Sequence, residues 1–382
     1  MKLQLIAGSV LSLALAGCAE PPSEVRRNGF LEPSFSAGQG GAGNLYTMTN
    51  ASSGNAVLIY RRAADGTLTP AGSVGTAGLG SGGGLGNQGG LVLSDNGRWL
   101  LAVNAGSNSI SVFRVEGDGS LTRTSTVASG GTQPISVTIA GELVYALNAG
   151  GIENIVGFRL DHSGSLEMIA NSTRPLSGAG VGPAQIEFGP DGRLLAVTEK
   201  GTNQITIYLV GQDGLASAPI VNSSNGATPF GFAFSPTGVL IVSEAFGGAP
   251  DASAASSYEV TAGGGLQLIS GSVPTTETAA CWFVVTNDGR FAYTSNTGSG
   301  SISGYSVRRG ELALLNADGR TGITGPGTAP IDLALSRNGG YLYALNSGTQ
   351  TISAFAVGAD GSLTTLATVS GLPASVNGLA AR

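Results

Sequence analysis

A seven-fold repetition constrains this 382-residue chain more than any other feature. One unit recurs: a short apolar strand ending in a polar residue, a turn of Gly, Ser, Thr or Asn, and then an alternating strand. Leu45-Tyr46-Thr47-Met48-Thr49-Asn50 and Trp99-Leu100-Leu101-Ala102-Val103-Asn104 are two copies, and the strands ending at Asn148 and Glu199 are two more. Three others end at Glu244, Asn296 and Asn346, so that seven end points lie about 49 residues apart. Each copy leads into a strand such as Ser109–Arg114 and then a turn such as Asp65-Gly66, Asp118-Gly119, Asp213-Gly214 or Asp360-Gly361. Dipeptides of this kind are strong hairpin signals. Helical periodicity is nowhere sustained. Four short strands per unit predict the blade of a β-propeller, and seven units predict an all-β, seven-bladed ring over residues 44–382.

The ring has to close. Most units open with a strand like Pro330–Ser336, followed by the turn at Asn338-Gly339, but the unit beginning at Leu45 lacks one. The segment Ser375–Ala380 has that pattern and no blade of its own, so it is expected to supply the innermost strand of the first blade and remove an open edge. Composition agrees with a packed fold: hydrophobic residues make up 41% of the chain, too many for intrinsic disorder. The 63 glycines and 16 prolines show no Gly-X-Y period, which excludes collagen.

The amino terminus reads differently. Met1-Lys2, an apolar run Leu3–Ala16 and Gly17-Cys18 describe a secretory signal. The run is shorter than the roughly 20 residues of a membrane-spanning helix. Leu15-Ala16-Gly17-Cys18 resembles the bacterial lipobox, in which the cysteine is lipid-modified and becomes the first residue of the mature chain. Residues 1–17 are thus expected to be a lipoprotein signal and Cys18 the lipidation site. Residues 18–43, with Pro21-Pro22, Arg26-Arg27 and a glycine-rich end, are expected to be a flexible tether. Ala19, where an Asp resembles the inner-membrane retention signal, favours the outer membrane of a Gram-negative cell. The expectation is an exported monomer, held at the envelope only by its lipid.

The rarer residues exclude several functions. One histidine, His162, and two cysteines, Cys18 and Cys281, cannot build a multi-ligand zinc site. A Ser-His-Asp mechanism would have to use His162, which lies in a hairpin tip, Asp161-His162-Ser163-Gly164. With Cys18 lipidated, Cys281 has no disulfide partner, and its neighbours Trp282-Phe283-Val284-Val285 place it in a buried strand. A net charge of −6 without basic clusters excludes a phosphate-tracking nucleic-acid binder.

The repeat length, the strand–Asp-Gly–strand grammar and the phrase Ser336-Arg337-Asn338-Gly339-Gly340-Tyr341-Leu342-Tyr343 resemble the seven-bladed lactonase family, over residues 44–382. That family includes 6-phosphogluconolactonase and carboxymuconate-lactonizing enzyme. The resemblance implies a lactone hydrolase or lactonizing isomerase, but its basic residues are missing here. Gly182-Pro183-Ala184-Gln185 stands where the family has His-Pro-His. Phe230-Gly231 follows Pro229 where the family has Arg-His, and Thr297 follows Ser295-Asn296 where it has arginine. The acidic positions remain: Glu199 takes the place of the family's Asp, and Glu244 matches its glutamate.

Glu199 and Glu244 are therefore the candidate catalytic residues, as a proton-transfer pair or as oxygen ligands for Ca²⁺ or Mg²⁺. Asn104, Asn148, Asn296 and Asn346, with Asn50, are expected beside them in a ring at one channel mouth, as substrate-binding groups or as caps of their own hairpins. Lys200 should point away from Glu199, toward a salt bridge or solvent. The glycine-rich run Gly78–Gly90 has no following helix to make a phosphate site, so it is expected to be a flexible loop over one mouth. The partner is a small-molecule substrate, or, in a non-catalytic reading, a ligand or protein of the envelope.

Overall fold

The computed structural model describes residues 41–382; the expected signal, Cys18 and almost all of the tether lie outside the described residues. Seven antiparallel sheets follow one another, each with its strands in chain order from innermost to outermost, apart from blade 1. Blade 1 consists of Gly43–Met48, Ala56–Arg62 and Leu68–Gly75, with Asn377–Ala381 as its innermost strand. The chain closes its ring as the repeat pattern predicts. Tyr46 pairs with Ala380 and Thr47 with Leu379, and the Thr47 hydroxyl donates to the Gly378 carbonyl at 2.6 Å. The innermost strands of blades 2–7 are Leu91–Leu93, Thr132–Ala140, Pro183–Phe188, Pro229–Phe234, Ala280–Val285 and Pro330–Leu335. Among the described residues the only helical element is one 3₁₀ turn, Phe246–Gly248.

Packing explains the strand patterns. A second strand lies inside its sheet and between two neighbouring blades, so every residue of Trp99–Asn104 is buried. The outermost strand Leu68–Gly75 has one flank in water and is mostly exposed. The Asp-Gly turns serve two purposes. Asp65, Asp118, Asp213 and Asp360 each accept the N–H two residues on, while the glycines adopt φ of 82–86°, which suits a residue without Cβ. The glycine carbonyls then receive tyrosine hydroxyls from the preceding blade. Tyr46 donates to Gly119, Tyr145 to Gly214, Tyr293 to Gly361 and Tyr343 to Gly66, at 2.8–2.9 Å.

An innermost strand has one sheet partner, so its other edge presents free N–H groups to the channel. Side chains of the preceding blade meet several of them. Ser136 and Thr138 accept from Ile186 and Phe188, and Gln185 pairs with both main-chain groups of Phe232. The innermost strands run from an upper face, which carries the turns between second and third strands, to a lower face, which carries the other hairpin turns.

Candidate functional site

All seven repeat end points lie at the upper face, and all but Asn50 turn their side chains toward their own blade or the linker entering it. Asn104 donates to the hydroxyls of Ser109 and Ser111, Asn296 to Ser301 and Ser303, and Asn346 to Thr351 and Ser353. Asn148 donates to the Ser129 carbonyl and to Asn154 Oδ1. Asn50 departs from the set: its amide holds Ser81 and Gly83 of the glycine-rich run.

Glu199 and Glu244 follow the asparagines, and both are 0% exposed. Glu199 accepts from the Ser177 N–H at 3.1 Å, the Ser177 hydroxyl and the Thr206 hydroxyl at 2.7 Å. Glu244 accepts from the Gly226 N–H at 2.8 Å, Ser256 Oγ at 2.5 Å and Ser272 Oγ at 2.7 Å. The two carboxylates belong to separate networks, in blades 4 and 5. Each binds the linker entering its blade and the strand beyond its hairpin. Among the described residues no three Asp, Glu, His or Cys side chains gather as a metal site requires. The geometry thus gives both acids donors from the protein itself and no opening toward the channel.

The glycine-rich run covers the upper mouth with Leu79 and residues 81–84 exposed, and its end, residues 87–90, enters the channel as a plug. Asn87 and Gln88 are buried on the axis. Asn87 donates to the Ile135 carbonyl of blade 3, accepts from Asn377 of blade 1, and receives the Trp282 indole N–H of blade 6 on its carbonyl at 2.7 Å. The Gln88 N–H donates to Ala184 of blade 4, and its side chain reaches Phe283 of blade 6. At the end of the run only glycine fits easily: a Cβ would lie 2.7 Å from Ser136 Oγ at Gly89 and 2.9 Å from Asn377 Oδ1 at Gly90. Lys200 makes no salt bridge among the described residues and is half-buried. Its ammonium donates to the Gly86 carbonyl at 2.9 Å and the Pro183 carbonyl at 2.7 Å, above the Phe230 ring, and burial holds its pKa down.

The plug accounts for the missing basic residues. A Cβ on Gly231 would lie 2.1 Å from Gln88 Oε1 and 2.5 Å from the Cys281 carbonyl, so no larger residue fits there. Phe230 packs against Trp282 at a tilt of 55°, with ring centroids 5.0 Å apart, under the Lys200 ammonium. Ala184 is buried beneath Gln88. Cys281 is buried as expected, and burial pushes its thiol up to about 12, far from a thiolate nucleophile. His162 stands on its hairpin tip with an 88% exposed side chain, 3.8 Å from Glu142.

Below the plug the channel opens into a cavity of about 690 Å³, walled by the innermost strands of all seven blades and reaching the lower-face turns. Its lining mixes aliphatic and polar residues and contains no Lys, Arg or His. Three carboxyl groups line it: Glu187, Asp332 and Asp95. Glu187, in Ile186-Glu187-Phe188, accepts from Gln185 Nε2 at 2.8 Å, and burial outweighs that bond and pushes its carboxyl up to about 8. Asp332 accepts from the Leu333 N–H at 2.8 Å, and burial raises its carboxyl well above the usual range. Sequence reasoning missed both, since a polar residue alternating with apolar ones is the ordinary pattern of a strand.

The profile described as "Lactonase, 7-bladed beta-propeller" matches residues 35–176, 155–281 and 257–377 of the chain. None of the curated proteins matches it. Among solved structures, a protein from Lactobacillus plantarum superposes with a TM-score of 0.71 at 22% identity, covering 89% of this chain and 99% of its own. A candidate 6-phosphogluconolactonase from Bacteroides uniformis gives 0.68 at 22% identity, covering 88% and 98%. The periplasmic gluconolactonase of Pseudomonas aeruginosa gives 0.68 at 18% identity, covering 88% and 99%. At these identities the structural likeness concerns the fold.

Proposed function

The chain belongs to the seven-bladed β-propeller lactonase family, and on that footing we propose that it hydrolyses an uncharged lactone of the sugar-acid type in the lower channel cavity. The observation that carries this reading is Glu187: a carboxyl with a pKa of about 8 in the wall of a cavity of about 690 Å³. A group titrating near neutral pH can both take and return a proton, which a surface carboxylate at its ordinary pKa does poorly. In lactone hydrolysis the oxygen of a water bonds to the carbonyl carbon while Glu187 takes one of its protons. The ring C–O bond then breaks, and Glu187 returns the proton to the departing alkoxide, leaving a hydroxy acid. Asp332, whose carboxyl burial raises well above the usual range, lines the same cavity and would donate a hydrogen bond to a substrate oxygen in its protonated form. The absence of Lys, Arg and His from the lining speaks against a phosphorylated or dicarboxylate substrate.

Glu199 and Glu244 have a positioning role in this proposal, holding linkers and hairpins at the upper face. The chain is proposed to act at the bacterial envelope, exported and held through a lipid on Cys18; the support is the sequence Leu15–Cys18.

A panel of neutral five- and six-membered lactones, assayed with the full chain and with Glu187→Gln, tests the proposal. Turnover that falls at least about 100-fold in the variant is expected. Turnover unchanged in Glu187→Gln removes the assignment. Saturable lactone binding without turnover would support the alternative, a non-catalytic propeller that holds a ligand at the envelope; the plug across the upper channel is what favours it.

A further inference from the structure

Beside the channel, the lower face has a second cavity of about 650 Å³, whose wall contains Arg61, Arg62, Arg337 and Arg382 and a single carboxylate, Asp118. It shares no lining residue with the channel cavity. The sequence shows no such cluster, because the four arginines come from the third strand of blade 1, a turn of blade 7 and the residue after the closing strand. On a chain of net charge −6 with 18 Lys and Arg, four arginines in one wall form a local excess of positive charge. None of the four pairs with an Asp or Glu side chain among the described residues, whereas Arg114, Arg290 and Arg320 each do, and Arg62 Nη2 lies 3.1 Å from the main-chain oxygen of Arg382, the last residue of the sequence.

The internal partners leave much donor capacity free. Arg62 is 4% exposed; its Nη1 donates to the Gly41 carbonyl and its Nη2 to the Arg382 carbonyl, while its buried Nε has no partner among the described residues. Arg382 donates to the Glu116 carbonyl. Asp118 Oδ1 accepts the N–H and hydroxyl of Ser120, and its charge offsets part of that of Arg61. Arg61 and Arg337 are exposed at the rim. Several like charges around one concavity repel unless an anion enters, and a guanidinium fork matches the oxygens of a phosphate.

We propose that this pocket is a binding site for a phosphate group, borne either by an anionic lipid headgroup or by a free phosphate compound. Arg61 and Arg337 capture the anion at the rim, and Arg62, fixed by two carbonyls, receives it at the base. The site is independent of the chemistry proposed for the channel.

The test uses the full chain carrying Cys18→Ser, so that no lipid anchor contributes. Titration calorimetry with glycerol 1-phosphate and with inorganic phosphate should show saturable binding that weakens as salt rises. Affinity should fall at least ten-fold in Arg61→Ala/Arg337→Ala and stay unchanged in Arg290→Ala. Co-flotation with vesicles of phosphatidylglycerol and phosphatidylcholine, but not of phosphatidylcholine alone, identifies the headgroup as source, and binding of the soluble phosphates without flotation identifies a free ligand. Absence of both, or equal binding by wild type and the double variant, overturns the proposal. Thermal melts of the double variant, whose rim side chains are exposed, should match wild type.

Discussion

Gln88 forms two hydrogen bonds with the main chain of Phe283, 195 residues away: its Nε2 donates to the carbonyl at 2.7 Å, and its Oε1 accepts from the N–H at 2.9 Å. The amide thus does what a further strand would do, completing the free edge of the innermost strand of blade 6. Gln88→Ala leaves a buried donor and a buried acceptor without partners. A loss of about 2–3 kcal/mol is expected in urea unfolding. Stability equal to wild type would mean that the plug does not hold the channel together.

The plug also forbids side chains opposite it. Gly231→Ala places a methyl 2.1 Å from Gln88 Oε1 and 2.5 Å from the Cys281 carbonyl. The glutamine can withdraw, but the backbone of Cys281 cannot do so cheaply. The substitution should cost about 1–3 kcal/mol as overpacking. In the Gln88→Ala background the added cost of Gly231→Ala should shrink, a coupling that a double-mutant cycle measures. Additive effects would sink the idea that these residues compete for one space.

Seven blades, their turns and their closure were legible because each is a local pattern repeated along the chain. Even the inward turn of the end-point asparagines had a signal: Ser or Thr lies five and seven residues after Asn104, Asn296 and Asn346. Those hydroxyls are the partners found, and they favour the capping role over a ring of binding groups. What the sequence could not show are contacts between distant segments. Gln88 meets Phe283, Arg62 meets Arg382, and Lys200 meets Gly86 through the folded ring alone. Glycines in the plug carry no pattern that tells a channel-filling segment from a loop over its mouth. Glu187 looks like any outward residue of a strand until seven blades enclose the channel.

The closing contacts bear on stability. Residues 373–382 bring Val376, Leu379 and Ala380 into buried positions and supply the innermost strand of blade 1. Their removal leaves a cavity and an unpaired edge on Gly43–Met48. The truncated chain should melt at least about 10 °C lower. A smaller lesion at the same seam, Tyr343→Phe, removes the hydroxyl that pins blade 7 to the Gly66 carbonyl of blade 1 and should cost about 1 kcal/mol. An unchanged melting temperature after truncation would show that the ring does not depend on its last strand.

The channel carboxyl groups make stability depend on pH in a direction opposite to that of most acidic residues. Glu187 has a folded-state pKa of about 8 against the ordinary glutamate value of 4.5, because burial penalises its charged form. Between these values the folded chain binds more protons at this site than the unfolded chain does. Its contribution is therefore fully favourable below the unfolded value and is lost as pH rises toward about 8. Asp332 acts in the same sense, since its carboxyl is also raised by burial. Melting temperatures measured from pH 5 to pH 8.5 should fall across that window, and Glu187→Gln should flatten part of the slope because its amide stays neutral throughout. The same ionisation would govern hydrolysis: if Glu187 is the base, turnover rises as it deprotonates, so rate and stability move in opposite directions over one pH range. A Glu187→Gln variant whose stability profile overlays that of wild type would show an ordinary carboxylate in the channel, and the acid–base role proposed for it would fall with the shift.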